Sequence, residues 1–88
     1  MAFQCDIVTP DREVFNQSVS SVVLPAHDGY VGILTGRAPL LVRLGAGRLT
    51  ATLARGGTQI LEIRGGVAQM KDNKLTVLTE SAEASAAA

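Results

Sequence analysis

Turn-forming residues interrupt this chain roughly every 8 to 10 residues, and that spacing restricts the folds open to it. Between the turns, apolar and polar residues alternate, as in residues 3–7 and 48–54, with the period of a half-buried strand. No stretch before residue 80 has a helical period. The pattern predicts an all-β sandwich or barrel. The predicted extended segments are residues 3–7, 14–15, 19–24, 31–34, 40–44, 48–54, 59–64, 67–71 and 75–79.

Residues 29–44 combine three glycines and a proline with a run of Leu, Ile and Val, so backbone geometry matters there as much as side chains. Pro39 has a fixed φ and pushes Ala38 towards an extended conformation. Gly32 falls within a predicted strand, where glycine usually marks a bulge or a close backbone contact. A bulge that bends the sheet and a platform that faces a partner are both open here, and they are compatible. We interpret the stretch as a shaped surface that another protein binds.

Length and charge limit the possible classes of function. Eighty-eight residues are enough for one domain, which we expect at residues 1–82, followed by an alanine-rich tail at 83–88. Eight basic residues balance eight acidic ones, without interleaved aromatics, which argues against nucleic-acid binding. No apolar run approaches the roughly 20 residues of a membrane-spanning helix, and no signal-peptide pattern opens the chain. We therefore expect a soluble chain in a reducing compartment.

Residues that could carry chemistry are few and isolated. His27 is the only histidine, which leaves a zinc site short of ligands, and we expect it in a solvated loop. Cys5 is the only cysteine, and its place on the apolar face of the first strand predicts a packing role. Gly45 and Gly47 lack the third glycine and the following helix that a dinucleotide site needs. We predict no catalytic, cofactor-binding or metal-binding residues.

Several motifs in the same order resemble the amino-terminal domain of the epsilon subunit of F-type ATP synthases, the subunit called delta in mitochondria. That family opens with apolar-Asp-Ile/Val-Val-Ser/Thr-Pro and a following Phe. Its central signature is Gly-x-Leu/Val-Gly-Ile-x-x-Gly-His-Ala-Pro-Leu-Leu, and later come a Gly-Gly pair and a closing Asn-x-Val/Leu-Thr-Val-Leu. The matching positions here are residues 6–10, Phe15, 29–41, 65–66 and 73–78.

The resemblance implies a β-sandwich of ten short strands in two sheets. It also implies a non-catalytic rotor subunit in the central stalk of an F1Fo ATP synthase, without a cofactor of its own. Such a subunit links gamma to the c-ring and supports the coupling of proton translocation to ATP synthesis. The positions that match gamma contacts are Thr9, Arg37 and Val42. The positions that match c-ring contacts are Asp28, Gly29 and Tyr30.

Three departures from the family pattern modify these expectations. The family commonly has His where this chain has Arg37, a permanent cation that we expect to face a carboxylate or carbonyl of gamma. Some relatives carry an acid where this chain has Tyr30, so Asp28 is expected to provide the only charge towards the c-ring. Relatives commonly continue as a pair of helices that can inhibit ATP hydrolysis, and we expect this chain to act without that arm. We expect coupling without self-inhibition.

Two other classes of protein fit this sequence less well than a rotor subunit does. One is a free-standing β-sandwich that binds peptide or carbohydrate, for which three aromatic residues are few. The other is a small hydrolase, for which the sequence offers no nucleophile and base in a recognisable pattern. For a rotor subunit the expected location is the cytoplasmic face of a bacterial inner membrane, held by protein contacts, with the plastid thylakoid as the less favoured alternative.

Overall fold

The computed structural model describes residues 2–35 and 39–84, and within these ranges the chain forms nine β-strands and no helix. The all-β prediction is confirmed. The predicted break between the segments at 14–15 and 19–24 is wrong, because residues 16–18 pair with residues 4–6 and the strand continues from 13 to 26. The strands are β1 (Phe3–Val8), β2 (Glu13–Ala26), β3 (Gly29–Leu34), β4 (Leu40–Arg43), β5 (Ala46–Leu53), β6 (Thr58–Arg64), β7 (Val67–Lys71), β8 (Lys74–Leu78) and β9 (Ser81–Ala84).

The strands pair in the order β4-β7-β8-β1-β2-β5-β6-β9, and β3 also pairs with β2. The 14-residue β2 pairs with β1 through residues 13–19 and with β3 through residues 21–26. Its register with β5 shifts between Val19 and Ser21, which leaves Ser20 as the extra residue of a β-bulge. Bulges bend a strand, so β2 can pass from one sheet layer into the other.

Two layers therefore share β2. We call β4, β7, β8, β1 and the first half of β2 layer 1, and β3, the second half of β2, β5, β6 and β9 layer 2. Each layer contains five strand segments when β2 is counted in both. The ten predicted strands in two sheets thus correspond to nine continuous strands in the described part of the chain.

The core lies between the layers and follows the alternation seen in the sequence. Phe3, Cys5 and Ile7 of β1 are buried, and so are Leu49 and Ala51 of β5. Full burial of a large apolar side chain contributes about 1.5–3 kcal/mol. A slip of one residue would turn such a face towards solvent, so the aliphatic core fixes the register.

The turns form where the sequence predicts them, but one of them is longer than predicted. Asp72 and Asn73 both have positive φ (52° and 60°) in the tight hairpin between β7 and β8, as the sequence predicts. The Gly56-Gly57 hairpin also forms, but residues 54–57 connect its strands, so the loop is longer than the two-residue turn predicted. The prediction of a bulge at Gly32 is wrong, because Gly32 pairs with Val23 in an unbroken register.

The last described strand extends beyond the predicted end of the domain. Strand β9 pairs with β6 through Ala84, so the predicted boundary between residues 82 and 83 falls inside a strand. The sequence there has helix-forming composition, but pairing with an existing sheet edge outweighs weak local propensity. Residues 85–88 of the predicted tail lie outside the described ranges.

Candidate functional site

The β2–β3 hairpin ends in an exposed turn of residues 27–30, which we call the Asp28 turn. Pairing between Ala26 and Gly29 closes the hairpin, and residues 27–30 are all exposed. Within residues 2–35 and 39–84, Asp28 takes part in neither of the ion pairs, which are Arg48–Glu62 and Lys74–Asp6. The turn therefore presents a carboxylate that is available to an external cation. The three predicted c-ring positions lie together in it.

Backbone hydrogen bonds fix the Asp28 turn to the connection between β4 and β5. The amide of His27 donates to the carbonyl of Arg43 at 2.7 Å, and the amide of Gly45 donates to the carbonyl of Pro25 at 2.9 Å. Both distances are typical of well-formed hydrogen bonds. The turn is thus held at its base, although its tip projects into solvent.

A second exposed surface lies on the outer face of layer 1. Leu78 pairs with Val67 on one side and with Val8 on the other, so these three side chains form a row across β7, β8 and β1. Leu78 is 49% exposed and Val67 is 38% exposed. We call this row, together with the adjoining β1–β2 turn, the Leu78 surface; its members are Val8, Thr9, Pro10, Val67 and Leu78.

Thr9 is a gamma-contact position predicted from the family resemblance, whereas Val67 and Leu78 were not predicted as contact residues. Val67 and Leu78 both alternate with buried neighbours along their strands, so the sequence alone indicates that their side chains point outward. The row exists because β1 runs parallel to β8, which lies about 70 residues away along the chain. Parallel pairing at such separation leaves no local sequence signal.

Thr9 is partly committed to its own turn. Its amide donates to the carbonyl of Arg12 at 2.9 Å, and its hydroxyl lies 3.2 Å from the same carbonyl. These bonds shape the β1–β2 turn beside the row of apolar side chains. Thr9 therefore forms part of the rim of the Leu78 surface.

Val42, another predicted gamma position, does not join Thr9 in one cluster. Val42 lies on β4, separated from β1 by β7 and β8, and its half-buried side chain packs against the core. Its neighbours Leu41, which is 71% exposed, and Arg43 point outward instead. Arg37 lies outside the described residues.

A glycine pair joins the Asp28 turn to the Leu78 surface, and we call residues 43–45 with 65–66 the glycine junction. The amide of Leu44 donates to Gly66 at 2.9 Å, and the amide of Gly65 donates to Gly45 at 3.1 Å. A Cβ on Gly66 would lie 1.9 Å from the carbonyl oxygen of Leu78, and the φ of Gly66 is +104°. Only glycine fits this position.

The single cysteine, Cys5, lies in the core and belongs to neither surface. The Cys5 thiol is buried, and burial, with the nearby Asp6 charge, raises its pKa to about 12. At neutral pH it is a protonated thiol, which is a poor nucleophile. The described residues contain no group of three or more His, Cys, Asp or Glu that could hold a metal ion. They also form no helix suited to crossing a membrane.

The chain is similar to known proteins over almost its whole length. A family model described as "ATP synthase, Delta/Epsilon chain, beta-sandwich domain" matches residues 2–85. The ATP synthase epsilon chain of Koribacter versatilis is 41% identical over 81 residues, which are 92% of this chain and 56% of that protein. The ATP synthase epsilon chain of Chlorobium limicola is 39% identical over 79 residues, which are 90% of each chain.

The fold also matches a solved structure. A chain in the cryo-electron microscopy structure of the Euglena gracilis mitochondrial ATP synthase, described as OSCP/F1/c-ring in rotational state 1, aligns with a TM-score of 0.87. The alignment covers 94% of this chain and 53% of that chain at 20% sequence identity. At such identity the likeness shows the fold. This chain thus spans a little over half the length of the Koribacter and Euglena proteins.

Proposed function

This chain belongs to the ATP synthase delta/epsilon family, whose beta-sandwich domain it carries, and we propose that it is a non-catalytic central-stalk subunit of an F1Fo ATP synthase. In this role it links the gamma subunit to the c-ring and supports the coupling of proton translocation to ATP synthesis. The chain acts within the complex through its contacts and needs no cofactor. Its work is mechanical.

The observation that carries this proposal is the joining of two exposed surfaces by one hydrogen-bonded frame. The Asp28 turn is bonded to Arg43 and Gly45, and these continue through the glycine junction to Gly66. Gly66 lies directly against the backbone of Leu78. Separating these bonds would leave backbone N–H and C=O groups without partners, which costs free energy, so we expect the two surfaces to move together. A subunit between two rotating parts requires this property.

We assign the gamma contact to the side of the molecule that carries the Leu78 surface. Thr9, Arg37 and Val42 remain the family-derived contact positions, with Val42 acting through the exposed side chains that flank it. An apolar surface suits a lasting contact, because burial stabilises association by about 25 cal/mol per Å² of apolar area. The exposed Leu78 and Val67 side chains would supply much of that area.

The c-ring contact is assigned to Asp28, Gly29 and Tyr30. The turn is narrow, projects from layer 2 and carries one carboxylate without an ion-pair partner among the described residues. A basic group in a loop of the ring is the partner that fits this charge. Such an exposed pair is worth about 0.2–1 kcal/mol, so it would align the subunit more than hold it.

The free-standing binding module has no support from the family match or from the described surface. Phe3 and Phe15 are buried at 2% and 6% exposure, which leaves Tyr30 as the exposed aromatic side chain. Small-molecule sites are lined mainly by apolar and aromatic side chains, so one exposed aromatic residue offers such a module little to bind with. By its partners, the subunit would lie at the cytoplasmic face of a bacterial inner membrane, held there by protein contacts.

Titration of the 88-residue chain into F1 that contains gamma but lacks its own epsilon subunit tests the proposal. We expect saturable binding with one chain per F1, and Arg37→Ala should weaken it. Lys71→Ala provides a control for the loss of an exposed cation elsewhere. Absence of binding by the folded chain would refute the assignment, and unchanged binding by Arg37→Ala would refute the role of Arg37 alone.

A further inference from the structure

We propose that Tyr30 is a positioning residue, which fixes the Asp28 turn against β5 and thereby sets where Asp28 meets its partner. The c-ring part of this inference rests on the proposed function. The positioning part is a property of the isolated chain. Tyr30 thus influences the c-ring contact by holding the turn in place, in addition to any direct contact that Tyr30 makes with the c-ring.

The Tyr30 side chain crosses a whole strand. Tyr30 lies on β3 and pairs with Pro25 on β2, while its hydroxyl reaches Gly47 on β5, the next strand of layer 2. The ring must therefore pass over Pro25, which is buried although its neighbour Val23 on the outer face is exposed. Because proline has no backbone N–H, the tyrosine ring can cover Pro25 without burying an unpaired hydrogen-bond donor.

Gly47 forms the seat for the end of this side chain. A Cβ on Gly47 would lie 2.8 Å from the Tyr30 hydroxyl oxygen and 3.0 Å from the Pro25 Cβ. Both distances are shorter than ordinary van der Waals contact, so the tyrosine could not stay in place above a larger residue. The absence of a side chain at Gly47 therefore allows Tyr30 to reach β5.

Packing of the tyrosine ring stabilises the turn more than the hydroxyl group does. The backbone nitrogen of Arg48 lies 3.5 Å from the Tyr30 hydroxyl oxygen, which is long for an N–H···O hydrogen bond. Aromatic cross-strand pairs contribute about 0.2–1 kcal/mol relative to alanine pairs. This energy is small for the whole domain, but it acts on a turn of four residues of which Tyr30 is the last. Phenylalanine at this position should therefore hold the turn as well as tyrosine does.

Backbone order parameters from nuclear magnetic resonance on the 88-residue chain test the inference. In Tyr30→Ala, the values for Asp28 and Gly29 should fall from about 0.85 to below about 0.6. Tyr30→Phe should restore them. Leu34→Ala is the matched control, because Leu34 lies on the same face of β3 and is 61% exposed, as Tyr30 is. It should leave the turn unchanged.

Gly47→Ala provides a second variant, since it displaces the tyrosine ring and leaves Tyr30 in the sequence, and it also strains the backbone at the φ of +158°. Its effect on the turn should be smaller in a chain that already carries Tyr30→Ala, because the two changes remove the same contact. The inference is wrong if Tyr30→Ala keeps the order parameters of the parent chain, or if Leu34→Ala lowers them equally.

Proton pumping by the assembled synthase separates this inference from the function on which it depends. Tyr30→Ala should reduce pumping and leave gamma binding unchanged, while Tyr30→Phe should pump normally. If the turn loosens in Tyr30→Ala and pumping does not change, Tyr30 still positions the turn but the assigned c-ring contact is wrong.

Discussion

The Asp28 turn and the Leu78 surface are both exposed, yet they differ in how they can hold a partner. The turn is a narrow projection with one carboxylate, whereas the surface is a row of apolar side chains on a sheet. Apolar burial scales with area, but an exposed ion pair contributes at most about 1 kcal/mol. We infer that the Leu78 surface provides affinity and the Asp28 turn provides alignment. In this proposal the glycine junction, with its backbone hydrogen bonds, holds the two in a fixed relation.

Loss of the glycine junction should have the largest effect, because both surfaces depend on it. Gly66→Ala places a methyl group 1.9 Å from the Leu78 carbonyl oxygen and should lower the free energy of unfolding by about 3 kcal/mol or more. Urea denaturation measures this loss. Gly57→Ala is the control, since Gly57 also has positive φ (91°) but nothing lies within 4 Å of an added Cβ.

Gly57→Ala should lower the free energy of unfolding by about 1–2 kcal/mol, which is the cost of placing alanine at a positive φ. Equal losses in the two variants would mean that the close contact between Gly66 and Leu78 does not matter to the fold. The claim that the junction unites the two surfaces would then have no energetic basis.

A polar side chain on the Leu78 surface should have the second largest effect. Leu78→Gln removes apolar area from the proposed gamma contact and should weaken binding to gamma-containing F1 roughly tenfold, which corresponds to 1.4 kcal/mol. Leu34→Gln makes the same change at an exposed leucine of layer 2 and should bind normally. If Leu34→Gln proved the weaker binder, affinity would belong to the outer face of layer 2.

Removal of the Asp28 charge should have the smallest effect on affinity and the clearest dependence on salt. Asp28→Asn should weaken attachment to the c-ring about two- to fivefold at low ionic strength, and the difference should shrink as salt screens the pair. Asp72→Asn is the control, an exposed acid in another turn whose positive φ asparagine tolerates. An effect of Asp28→Asn that persists at high salt would contradict the electrostatic role.

The fold was more predictable from the sequence than the sites were. Alternation within β1 and β5 identified the buried faces, since period-two burial is a local property. The outward face of β4 was also readable, because the charged Arg43 implies that Leu41 points outward and Val42 inward. The family-derived assignment of Val42 did not use this signal.

The Leu78 surface and the last strand depend on long-range pairing, which sequence patterns do not encode. Val8 and Leu78 become neighbours only when β1 and β8 pair in parallel. Residues 83 and 84 become part of a strand because β6 offers a free edge to them. Both features arise from tertiary structure, where weak local preferences are overridden.

ATP-driven proton pumping in vesicles, whose synthase has been stripped of its own epsilon subunit, tests the central claim most directly. Addition of the 88-residue chain should restore pumping, and restoration should require more chain with Leu78→Gln and reach a lower maximum with Asp28→Asn at low salt. A folded chain that binds gamma and restores no pumping would contradict the account, because it would join only one of the two parts that it is proposed to link.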